Sequence, residues 1–204
     1  MNHLNQLDGR HLDLLKESAN IGASHAATSL SIMLKKPIDL CIPSVRLQSI
    51  AELIDGKAEQ QVAASLIQVK GGIRGCFFVM FAIDQANMLI EELVPQGNIC
   101  DDGIGSSAFY EVSNILCGSY LSALSSFLNV AFIQSPPVIS VDMAGAILSE
   151  GLVELSLYDE FALLIDAVVF DRQKGHQLNG EFLFLPLPDS LDVIFERVEG
   201  KFSQ

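Results

Sequence analysis

Two pairs of side chains in this sequence set a carboxylate and a carboxamide one helical turn apart: Glu17 with Asn20, and Glu111 with Asn114. A carboxylate can meet a Lys or Arg on another molecule. An Asn amide offers both a donor and an acceptor, so it can hold a water molecule without itself reacting. Together the two groups can dock a cationic site and align an attacking water, chemistry that needs no protein nucleophile. Taken singly, such a pair means little, because most polar stripes are only the solvated face of an amphipathic helix. Three features set these two apart. Asn is a mediocre helix former, and an exposed helix has no packing reason to choose it. The pattern D/S-x3-E-x2-N-x22-P occurs twice with identical spacing, as Asp13, Glu17, Asn20, Pro43 and as Ser107, Glu111, Asn114, Pro137. Small residues lie along both stripes, Ser, Gly and Thr in the first and Ser and Gly in the second, so nothing bulky keeps another protein away.

The elements that must position these groups come in two copies. At an offset of 94, residues 13–43 superimpose on 107–137 without a gap, matching Glu17 to Glu111, Asn20 to Asn114 and Pro43 to Pro137. Further on, at an offset of 105, Gly75-Cys-Phe-Phe-Val-Met-Phe meets Gly180-Glu-Phe-Leu-Phe-Leu-Pro, which implies a net eleven-residue insertion in the second half. The expectation is one domain over 1–204 made of two repeats, about 8–94 and 102–200, joined by a turn-rich linker over 95–105. Each repeat opens with a long helix. At ~100° per residue, Asp13, Glu17, Asn20, Ser24 and Ser31 share one stripe, with Leu15, Ala19, Gly22, Ala26, Leu30 and Met33 opposite. In the second helix Ser107, Glu111, Asn114, Gly118, Ser122 and Ser125 face outward; Phe109, Leu116, Tyr120, Leu124 and Phe127 face inward.

Apolar runs bounded by turn formers predict strands at Val45–Ile50, Ser65–Val69, Ile73–Phe81, Val138–Val141, Phe161–Phe170 and Glu181–Leu187. A shorter amphipathic helix closes each repeat, near Gln85–Leu93 and Ser190–Val198. The fold class is therefore α+β: an internally duplicated, pseudo-two-fold fold, with one sheet built from both halves and two long helices on one face. The polar stripes of those helices should then point to solvent side by side. A duplication of this kind supplies within one chain the relation a homodimer would supply, so a monomer is expected.

Composition narrows the function. Hydrophobic residues are 50% and charged ones 18%, enough apolar surface for a sizeable core and too much for a disordered chain. Twelve Lys and Arg against 25 Asp and Glu give a net charge of −13, which repels nucleic-acid backbones and anionic membranes. Cys41, Cys76, Cys100 and Cys117 lie far apart without a C-x-x-C pair, as expected of reduced thiols in a cytoplasmic protein. The N-terminus has no continuous apolar run like that of a signal peptide. The uncharged stretch Val112–Val141 holds three Asn or Gln, several Ser and Pro136-Pro137, which argues against a membrane span.

The duplicated motifs D13-L-L-K-E17-S-A-N20-I-G-A and S107-A-F-Y-E111-V-S-N114-I-L-C-G-S-Y resemble the CheC family of chemotaxis proteins, which includes CheX and FliY. V141-D-M-A-G-A-I-L-S-E-G-L152 is similar to CheC as well, and the resemblance spans essentially the whole chain without FliY's extra C-terminal switch domain. It implies a phosphatase that hydrolyses the aspartyl phosphate of the response regulator CheY. By position, Glu17 and Glu111 would salt-bridge the receiver's active-site Lys, and Asn20 and Asn114 would orient the water. Asp13, Pro43, Ser107 and Pro137 would be structural. The family implies no cofactor or metal of the chain's own, since Mg²⁺ sits on the receiver. It also implies a second partner, the receptor deamidase CheD, whose contact falls near Asp142. One departure concerns the pairing of the sites: Gly22-Ala23 of the first half faces Leu116-Cys117 in the second, so the two need not be equal. The role fits the physics. Positioning can supply ~7–11 kcal/mol in the best intramolecular cases, and small GTPases use a water-orienting Gln in the same way.

Other constellations carry less. His3, His11, His25 and His176 have no metal-ligand spacing, no G-x-x-x-x-G-K-[ST] or G-x-S-x-G motif occurs, and Cys117 has no base arranged beside it. A non-catalytic module that binds CheD or the receiver is the rival reading. Retention of both Glu and Asn in each half favours the enzyme.

Overall fold

The computed structural model describes residues 8–100, 103–152, 161–171 and 175–202. The first long helix, α1 (Gly9–Leu34), starts at a capping box in which the Asp8 carboxylate accepts the Arg10 and His11 N–H groups. The His11 Nδ1 takes the Asp8 N–H in return. β1 (Ile38–Cys41), β2 (Val45–Ser49) and α2 (Ile50–Lys57) follow, then the hairpin β3 (Gln61–Gly71) and β4 (Gly75–Ala82), then α3 (Ile83–Glu91). The second half repeats the order: α4 (Ile104–Leu128), β5 (Phe132–Gln134), β6 (Val138–Met143), α5 (Ala144–Leu152), β7 (Phe161–Asp171), β8 (His176–Pro186) and α6 (Pro188–Phe202). Even the helix ends agree: α1 stops at Lys35 and α4 at Asn129, both left-handed with φ of 53°.

Among the described residues, eight strands form one antiparallel sheet in the order β1-β7-β8-β4-β3-β5, with β2 extending the β1 edge along β7 and β6 extending the β5 edge along β3. The two hairpins meet at the centre, where Gly75–Phe81 of β4 pairs with Gly180–Pro186 of β8. Each half's first two strands then cross over to edge the other half's hairpin. This exchange is the pseudo-two-fold relation in structural form, and it makes the halves inseparable.

The sheet is covered on both faces. On β4, Phe77, Val79 and Phe81 pack under α1 and α4, while Phe78 and Met80 pack under α2 and α5. The unbroken run Cys76-Phe-Phe-Val-Met-Phe is what a strand buried on both sides requires. Helices α2 and α5 are additions to the sequence-based expectation, as are the short strands β1 and β5. β3 begins four residues before the predicted Ser65, because Val62, Ala63 and Ala64 are buried there although Ala carries little strand signal. α4 starts at Ile104, inside the turn-rich 95–105 segment. Gly22 lets the two long helices touch: a Cβ on it would lie 2.9 Å from Tyr120 Cα. Lys36, beyond the end of α1, pairs with Glu92 after α3 and with Asp171 of β7 at 2.7 Å. Burial opposes its charge, but hydrogen bonds to Asp171 and Glu92 outweigh this and raise its pKa.

Candidate functional site

Glu17 and Glu111 are exposed on α1 and α4, as are Asp13 and Ser107 one turn earlier. The buried side of α1 is Leu15, Ser18, Ala19, Gly22, Ala23, Ala26 and Leu30, so the helix turns its carboxylates outward by necessity. On α4, Phe109, Val112, Leu116, Tyr120 and Leu124 do the same for Glu111. Ser107 Oγ donates to the Gly103 carbonyl at 2.6 Å, tying down the first turn of α4.

The two Asn residues are half-buried, and each has a different partner. Asn20 Oδ1 accepts the Ile42 N–H at 3.0 Å, and Nδ2 donates to the Ile42 carbonyl at 3.3 Å and the Lys16 carbonyl at 3.1 Å. Ile42 sits in the break between β1 and β2, where neither strand claims its peptide groups, and it is 3% exposed. Asn20 therefore satisfies a buried donor and acceptor that would otherwise lack partners. The equivalent break, between β5 and β6, holds Pro136, which has no N–H to offer. Asn114 turns to a side chain instead: its Oδ1 accepts Gln134 Nε2 at 2.9 Å. Pro43 and Pro137 stand just before β2 and β6 and mark the point where the edge strand is interrupted.

The stripes do not lie side by side. Asn20 is bonded to the residue after β1 and Asn114 to β5, which are opposite edges of the sheet with β7, β8, β4 and β3 between them. The strand exchange between halves causes this, since it carries each half's first strands, and the helix packed on them, to the far side of the other half. Ser31 and Ser125, also predicted outward, reach backbone beyond the ends of their helices: Ser31 Oγ donates to the Ile38 carbonyl and Ser125 Oγ to the Val130 carbonyl. Asp142 is exposed near the end of β6 and accepts the Met143 N–H at 2.7 Å. It lies directly opposite Val62, which faces the α2/α5 layer, so Asp142 belongs to the face away from α1 and α4.

Ile42, Gln134 and Pro136 escaped the sequence reading. A signal existed in the repeat, where Leu40 and Ile42 align with Gln134 and Pro136, the first pair apolar and the second not. His11 is buried and joins Asp8 to Glu199 at 2.8 Å, and burial pushes the Cys117 thiol pKa up. Among the described residues, no three or more His, Cys, Asp or Glu are gathered where they could hold a metal ion, and no helix is long and apolar enough to cross a membrane.

Residues 11–45 and 104–141 match the model of the CheC-like family. Over 202 residues the chain is 37% identical to the protein named CheY-P phosphatase CheC from Bacillus subtilis (strain 168), covering 96% of this chain and 97% of that relative. The chain belongs to the CheC-like family. The two matched segments each run from the long helix through the Pro motif to the edge strands, so the CheC-like signature coincides with the two Glu/Asn sites. Among solved structures the chain is similar in fold to Thermotoga maritima FliY, with a TM-score of 0.79 at 18% identity, covering 96% of this chain and 98% of that one. It is also similar to CheX from Desulfovibrio desulfuricans, with a TM-score of 0.51 at 15% identity, covering 82% of this chain and 99% of that one.

Proposed function

We propose that this CheC-like protein is a cytoplasmic phosphatase for the aspartyl phosphate of a CheY-type receiver. The observation that carries the reading is the exposed Glu with an Asn amide one turn on, presented twice by helices buried on their other side. The 37% identity to a relative named CheY-P phosphatase CheC supports it over nearly the full chain. In this account Glu17 and Glu111 dock the receiver's lysine, and Asn20 and Asn114 align the water. The water oxygen bonds to phosphorus as the P–O bond to the aspartyl carboxylate breaks. The carboxylate leaves with the bonding pair, and the water's proton departs with phosphate. The receiver brings the Mg²⁺ that neutralises the phosphoryl oxygens, so the chain's own task is placement.

CheD fits the same account as a second partner at a separate surface. Asp142 lies on the sheet face away from α1 and α4, which carry the Glu/Asn stripes, so a protein seated there would not cover them. The test of the main reading is decay of a phosphorylated CheY-type receiver, with and without the protein. Unaccelerated decay with receivers that bind it would leave the interaction module as the better description.

A further inference from the structure

We infer that Gln134 is a positioning residue for the second site, holding the Asn114 amide so that its nitrogen stays available to the reaction. The inference rests on the proposal that Asn114 aligns the attacking water. An Asn amide has two hydrogens and two acceptor lone pairs. In the first site both Asn20 hydrogens and one lone pair are committed to the Lys16 and Ile42 backbone, leaving one lone pair. In the second site Gln134 takes one lone pair of Asn114, and Asn114 Nδ2 has no hydrogen-bond partner among the described residues. Asn114 can therefore accept from a water and donate to a phosphoryl oxygen at the same time. Asn20 can do only the first without breaking its hold on Ile42.

Two repeat positions produce this difference together. Pro136 stands where Ile42 stands and removes the N–H that would have claimed the Asn oxygen. Gln134 stands where the buried Leu40 stands and restores a donor from a side chain. Gln134 is half-buried on β5 and lines a groove of about 250 Å³ along α4 with Gly118, Leu121, Ser122, Ser125 and Phe132. The Gln134 amide lies close along α4, where a Cβ on Gly118 would sit in ordinary van der Waals contact with Oε1 at 3.5 Å. In this arrangement the Nε2–H bond turns the Asn114 oxygen toward Gln134 and leaves its nitrogen free of that contact.

The test uses full-length protein and a phosphorylated CheY-type receiver. Gln134→Leu, which copies Leu40, and Gln134→Glu, which can only accept and so draws Nδ2 inward, are measured on an Asn20→Ala background where the second site alone works. Loss of one orienting hydrogen bond should lower kcat roughly five- to tenfold in each, with KM for the receiver unchanged. On an Asn114→Ala background, where the first site alone works, the same changes should leave kcat unaltered. Unchanged kcat for both variants on the Asn20→Ala background overturns the inference, and so does an equal loss on both backgrounds, which would mean that Gln134 acts through the fold. Full activity in Asn20→Ala/Asn114→Ala would instead overturn the underlying reading of the Asn residues.

Discussion

Replacing the two Asn residues by Ala should remove equivalent groups of the two proposed sites yet cost very different amounts of stability. Asn20→Ala strips both partners from the Ile42 peptide, whose residue is buried at 3% exposure. A buried N–H left unsatisfied costs about 1–3 kcal/mol, and the longer bond to the carbonyl adds little, so about 2 kcal/mol is expected. For a chain of this size each kcal/mol moves Tm by roughly 2–4 °C, giving a drop of roughly 4–8 °C. Asn114→Ala removes one bond, to the half-buried Gln134 side chain, which can turn to water. Its cost should stay below about 1 kcal/mol, or less than roughly 4 °C. Calorimetry or thermal circular dichroism on both single variants reads the difference, and urea unfolding checks that the slope is unchanged. Equal Tm values, or a larger loss in Asn114→Ala, would refute the assignment of Asn20 to the Ile42 backbone.

Glu17→Ala and Glu111→Ala should each weaken binding of a receiver carrying a stable phosphoryl mimic and reduce its salt dependence; unchanged affinity at low salt in both would remove the docking role. Lys36 has its pKa raised in the folded chain, so its stabilising contribution is fully present below the ordinary Lys value of 10.5 and is lost as pH rises through the folded value. Urea unfolding from pH 9 upward should therefore show wild type losing stability faster than Lys36→Met, and parallel curves would contradict it. Asp142→Lys should impair CheD binding in a calorimetric titration while receiver dephosphorylation continues unaltered; unchanged CheD affinity would return Asp142 to a purely local role at the end of β6.

The repeat was the most legible part of the fold, because an ungapped match from Asp13 to Pro43 fixes two helices and their sequels at once. The Glu and Asn positions were legible for the same reason. What the repeat hides is the exchange of β1 and β2 for β5 and β6 between halves: local patterning is identical whether a strand pairs with its own hairpin or the other one. The separation of the two sites across the sheet followed from that exchange and had no local signal. α2 was obscured by shortness, since Ile50 and Leu53 are its only fully buried side chains. α5 opens on Ala144-Gly-Ala, which carries little amphipathic signal, yet Gly145 is small for packing: a Cβ there would meet Ala58 Cα at 2.8 Å. The partner of Asn20 is a main-chain group, and no side-chain pattern announces it.

In the proposed mechanism two Asn amides, set beside exposed Glu residues, speed loss of phosphate from a receiver. The most direct measurement is the decay rate of a phosphorylated CheY-type receiver with wild-type protein and with Asn20→Ala/Asn114→Ala, both confirmed folded at the assay temperature. The account predicts accelerated decay with wild type and the receiver's intrinsic rate with the double variant. Acceleration by the folded double variant equal to that of wild type would contradict it.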